Sequence, residues 1–241
     1  MPIIKLKSIS LAFTALTLFS MQPASAALVT LTGTNVIYEY DSMTNAGALS
    51  MLGTPTIVGD AIRFLPPNLR AQSLNGEGLN TVIADFHFSS VRTIGSAEIS
   101  SVRLLEFGDY DIGGGGQAGA ELAVVITNNT SPSESIEDIA SFTASGETGG
   151  LQLWTLESSL SPADSFAAIA NDVTLSFANT LTASTSELGH SAWVQKKLSF
   201  VVSTTAPVVG LAEPTAIAIF FIGLLGIAAF VRRRADIALK V

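Results

Sequence analysis

The groups in this chain that could do chemistry are two histidines, a scatter of carboxylates and a run of four glycines. His87 stands two residues from Asp85 in Asp85-Phe86-His87-Phe88. In a strand, those two polar side chains share one face and the two phenylalanines share the other. A serine hydrolase needs such a histidine within hydrogen-bond reach of an activated serine. The sequence holds no Gly-x-Ser-x-Gly elbow, so His87 reads as part of a polar strand face, and neither it nor His190 is assigned a catalytic role. Paired carboxylates distant in sequence could serve glycoside hydrolysis, but among so many acids such pairs arise by chance. Glu106, Asp109 and Asp111 lie just before Gly113-Gly114-Gly115-Gly116 and offer oxygen ligands in what reads as a flexible loop. They lack the spacing and closing carboxylate of an EF-hand, so a solvated turn is expected, with no metal or cofactor assigned. The glycine run is no phosphate loop, because no Gly-Lys-Ser/Thr follows it.

The elements that must position these residues read as strands. Leu28 to Thr34 alternates at period two, and Thr81 to Phe88 puts Phe86 and Phe88 on one face. Thr56-Ile57-Val58 and Ala61-Ile62-Arg63-Phe64 flank Gly59-Asp60, a two-residue hairpin signal, and Pro66-Pro67 ends the second strand. Asn75 to Gly78 reads as a turn. Ala97 to Phe107, Glu121 to Thr127, Leu151 to Leu156, Val173 to Phe177 and Trp193 to Thr204 read as further strands, and Ser165 to Ala170 as a short helix or another strand. Nine or ten short strands with regular turn signals predict an all-β fold, an antiparallel β-sandwich or jelly roll over residues 27–206. Phe86, Phe88, Leu175, Phe177 and Phe200 are the expected core.

Both ends differ from this middle. Met1 to Ala26 reads as a secretory signal peptide, a substrate for the Sec export machinery. Lys5 and Lys7 form its basic start, Ile9 to Phe19 its apolar centre, and Ala24-Ser25-Ala26 a small-residue cleavage site that leaves Ala27 as the new N-terminus. Residues 207–214 read as a linker. Thr215 to Val231 is a charge-free apolar run that, as a helix, is roughly 25 Å long, close to the hydrocarbon thickness of a bilayer. Arg232, Arg233 and Arg234 open the basic segment 232–241 and would keep the C-terminus in the cytoplasm. The chain has no cysteine, which excludes disulfides, thiolate metal sites, a cysteine nucleophile and a lipoprotein anchor. Of 12 Lys and Arg, six lie in the terminal segments, against two of 20 Asp and Glu, so the middle carries an excess of 12 negative charges. Such a surface argues against nucleic acid and anionic lipid as direct partners.

Glu213-Pro214, one apolar span and a short arginine cluster resemble the PEP-CTERM sorting signal of Gram-negative bacteria, with Ala212 in place of its first proline. The resemblance implies recognition by exosortase, a membrane enzyme that acts near the motif, and a route from an inner-membrane-anchored precursor to the cell surface or extracellular matrix. Within the middle segment, Gly53 to Asp60, Arg63-Phe64, Ala71-Gln72-Ser73, Gly108-Asp109-Tyr110 and Leu181 to Ser184 are similar to an uncharacterised group of PEP-CTERM cargo proteins, which carries no activity over to any residue here.

Two functional classes fit this sequence. The first is a non-catalytic surface or matrix protein associated with exopolysaccharide or biofilm. The second is a secreted carbohydrate-active sandwich, either binding module or hydrolase. A sugar platform would need Trp154, Trp193 or tyrosines aligned on one solvent face, and this discriminates between them.

Overall fold

The computed structural model describes residues 27–95, 97–196 and 200–205, without the side chains of 200–203 and 205. The signal peptide through Ala26 and the tail with Glu213, Pro214 and Arg232 to Arg234 lie outside the described residues. Among the described residues, no helix is long and apolar enough to cross a membrane.

The described residues form an all-β fold with antiparallel pairing throughout. One sheet contains β1 (Leu28–Thr32), β2 (Val36–Asp41), β6 (Gly78–Thr93), β11 (Asp172–Thr185), β8 (Gln117–Asn128) and β9 (Ser135–Ser145), in that order. The other runs β3 (Thr56–Val58), β4 (Ala61–Phe64), β13 (Phe200–Thr205), β7 (Ser101–Gly113), β12 (Ser191–Lys196) and β5 (Arg70–Leu74). β10 (Gln152–Leu160) pairs with the free side of β7. Among the described residues, two short helices, α1 (Ala46–Leu52) and α2 (Pro162–Ser165), lie in the connections.

The sheets pack face to face over one core, as period-two burial requires. In β11, Val173, Leu175, Phe177, Leu181 and Ala183 are buried while their neighbours are half exposed. Phe64 of β4 meets Phe86 at 5.1 Å and Phe177 at 5.8 Å between ring centroids, which joins the two sheets. Phe86, Phe88, Leu175 and Phe177 are all in the core, as their phase in the sequence predicts. Phe200 pairs with Phe64 in the ladder, but its side chain lies outside the described residues.

Several elements differ from the sequence reading. β7 starts at Ser101 rather than Ala97 and continues to Gly113, so Glu106, Asp109 and Asp111 are strand residues and not loop residues. The predicted strand Trp193 to Thr204 is two segments: β12 and β13 run along successive stretches of β7. β5, β9 and α1 have no counterpart in the sequence reading. The hairpin at Gly59-Asp60 forms as predicted, with Val58 opposite Ala61 and Gly59 at φ +64°.

Candidate functional site

The outer face of the first sheet carries an open groove of roughly 450 Å³ over β6, β11 and β8. The ladder fixes its rows: His87 stands beside Ser176, and Ser176 beside Val125; one row on, Asp85 stands beside Ala178 and Ala178 beside Ala123. Small residues at the centre of these rows create the depression. His87 Nδ1 and Ser176 Oγ are 2.8 Å apart. Asp85 and His87 thus share the exposed face that their spacing predicts, with Phe86 and Phe88 buried behind them.

One wall of the groove is Asn45. It occupies the N-cap position of α1 but makes no capping bond. Its side chain instead accepts from His87 N–H at 2.7 Å and donates to His87 C=O at 3.0 Å. β2 has left the ladder by this point, so the Asn45 amide takes the place of a neighbouring strand and satisfies both backbone groups.

The groove surface is mostly apolar, with the His87–Ser176 pair and Asp85 among its lining residues. Ser176 lies mid-strand between β6 and β8, where the ladders on both sides occupy the backbone N–H groups. The backbone N–H of Ser176 is therefore engaged in the sheet.

A second polar group is buried between the sheets. Glu106 of β7, Lys196 of β12 and Asn179 of β11 all project inward. Lys196 Nζ donates to Glu106 Oε1 at 2.5 Å and to Asn179 Oδ1 at 2.7 Å. The Lys196 and Glu106 side chains are 0% and 1% exposed. Burial pushes the Glu106 carboxyl up from its ordinary value, against the pull of Lys196 and Asn179. Burial likewise pushes the Lys196 amine down, against the pull of Glu106. Both shifts favour the neutral forms, as a low-dielectric interior dictates. Asn179 acts on Glu106 without meeting hydrogen-bond geometry, and its Nδ2 is buried with no hydrogen-bond partner among the described residues.

Glu106, Asp109 and Asp111 do not form the expected solvated turn: all three lie in β7, and Glu106 and Asp109 are buried. Odd spacing puts Glu106 on the inner face and Asp109 and Asp111 on the other. Asp111 accepts from the Thr148 hydroxyl at 2.9 Å. Among the described residues, no three metal-ligating side chains come together. The glycine run packs under His190: a Cβ on Gly114 would fall 2.4 Å from the imidazole Cδ2. His190 Nε2 lies 3.8 Å from Glu187 at the other end of that turn.

The aromatic residues do not form a platform. Trp154 faces the core, stacked on Phe142 at 5.3 Å. Trp193 belongs to the opposite face of its sheet and lies under Arg70, 4.7 Å from ring centroid to guanidinium carbon. Tyr38 and Tyr40 are buried, and Tyr110 packs on Phe142.

No protein-family model matches the chain, and no curated protein matches it.

Proposed function

We propose that the chain is an exported surface protein of a Gram-negative bacterium. An acidic β-domain is carried across the inner membrane by Met1 to Ala26 and anchored through Thr215 to Val231. Exosortase then acts at Glu213-Pro214, and the domain serves without catalysis at the cell surface or in an exopolysaccharide-rich matrix. The observation that carries this reading is the order of the tail: Glu-Pro, an uncharged apolar span, then three arginines. A span of this length suits a membrane helix, and arginines resist translocation.

Two features of the domain support the reading. Among the described residues, strands run from Leu28 to Thr205, the span expected for the exported domain. Trp154 faces the core and Trp193 lies under Arg70 on the opposite face of the sheet. The tryptophans therefore do not line up as a sugar platform, which favours a surface protein over a carbohydrate-active one.

The test is to express the full chain with a C-terminal reporter in a Gram-negative host. N-terminal sequencing should begin at Ala27, and the reporter should be active only in the cytoplasm. A chain that keeps Met1 and stays wholly cytoplasmic would overturn the proposal.

A further inference from the structure

We propose that Lys196 and Asn179 become joined by an intramolecular amide bond, assisted by Glu106, which ties β12 of one sheet to β11 of the other. The inference rests on the buried cluster alone and is independent of the route of export.

The geometry suits the reaction. Lys196 Nζ is 2.7 Å from Asn179 Oδ1. With a C=O bond of about 1.2 Å, the amine lies within roughly 4 Å of the side-chain amide carbon, close to attack distance. The same Nζ touches Glu106 Oε1 at 2.5 Å, so a carboxylate stands ready to move protons. All three residues are buried, which excludes competing water and holds each side chain in one place.

The interior also supplies the reactive protonation states. Burial lowers the Lys196 amine and raises the Glu106 carboxyl, so passing the ammonium proton to Glu106 removes two buried charges. The neutral amine then has a free electron pair with which to attack the Asn179 carbon. A new C–N bond forms from Lys196 Nζ, and the carbonyl π pair moves onto Oδ1. Glu106 delivers its proton to Nδ2 and, as the carboxylate, then takes one from the attacking nitrogen. The Cγ–Nδ2 bond breaks, the C=O bond is restored, and ammonia leaves, taking the proton back from Glu106 as ammonium. One ammonium side chain and one carboxamide thus give one secondary amide and one ammonium ion. No oxidant, reductant or second substrate is needed.

An unreacted ion pair accounts less well for the site. It leaves Asn179 Nδ2 buried without a hydrogen-bond partner among the described residues, which is costly. The reaction expels that nitrogen. It also gives a cysteine-free domain a covalent staple of the kind that disulfides provide elsewhere.

The test is peptide mass spectrometry of the folded full chain. Cleavage after Glu157 and Glu187 places Asn179 and Lys196 on separate peptides. The expected result is a linked pair, lighter than the two peptides together by one ammonia, with fragments that locate the bond at these residues. Glu106→Gln keeps the shape but removes the proton carrier, so its peptides should be found unlinked. Should that variant not fold, the wild-type peptides still decide the matter. Unlinked peptides from folded wild-type protein overturn the proposal, as does an ammonia loss that maps to another residue. A link that persists in Glu106→Gln overturns the role given to Glu106.

Discussion

Trp154 of β10 packs against Gly108, its register partner on β7, so closely that a Cβ on the glycine would fall 2.3 Å from the indole Cε2 and Cζ2. The same Cβ would fall 2.3 Å from the carbonyl oxygen of Gln195 on β12. The missing side chain therefore makes room for the indole, which fills the space up to Phe142 of the other sheet. A backbone oxygen cannot swing away as a side chain can. Gly108→Ala should cost about 3 kcal/mol or more, at the upper end for overpacking. The urea midpoint reads this directly, and an unchanged midpoint would mean that the strands stand further apart.

Asn45→Ala should destabilise the domain by about 2–3 kcal/mol, because it leaves the His87 N–H and C=O without partners. The loss should be local as well as global. Amide exchange at His87 should rise more than at Phe86 or Phe88, whose ladder with β11 is untouched. Uniform exchange across β6 would contradict the view that Asn45 substitutes for a strand.

The His87–Ser176 pair invites a direct test for hydrolase chemistry. Ser176 lies mid-strand and not on a Gly-x-Ser-x-Gly elbow, so the serine should not react with a fluorophosphonate probe. Ser176→Ala should leave the melting temperature nearly unchanged, since the pair is exposed. Covalent labelling at Ser176 would overturn the non-catalytic reading.

Calcium should not raise the melting temperature of the domain. A ligand that binds only the folded state must stabilise it. Glu106, however, faces the core while Asp109 and Asp111 face the other way. A calcium-dependent rise that is lost in Asp109→Asn with Asp111→Asn would install a site there.

Local chemistry made part of this fold legible in advance. Gly59-Asp60 sets the β3–β4 hairpin, and the spacing of Phe86 and Phe88 sets the buried face of β6. β9 escaped because Asp138 falls in phase with Ile136, Ala140 and Phe142 and interrupts the apolar alternation. α1 escaped because it is seven residues long and buries only Ala48 and Leu52. The buried cluster was hidden because its members are far apart in sequence, and only the fold brings β7, β11 and β12 together. A signal was nonetheless present. Glu106 is in phase with Val102 and Leu104, Asn179 with Phe177 and Leu181, and Lys196 with Ala192 and Val194. A polar residue set into each of three apolar strand faces marks a shared interior site.

The central claim is that the tail directs an exported domain to processing at Glu213-Pro214. The most direct measurement compares the wild-type chain with a Glu213→Ala, Pro214→Ala variant, each bearing a C-terminal tag, by membrane fractionation in a host that carries exosortase. The wild type should lose its tag from the domain and release the domain from the inner membrane. The variant should insert normally, since its apolar span and arginines are intact, and accumulate as the full-length membrane form. If the variant is processed like the wild type, the tail is an anchor and the sorting assignment fails.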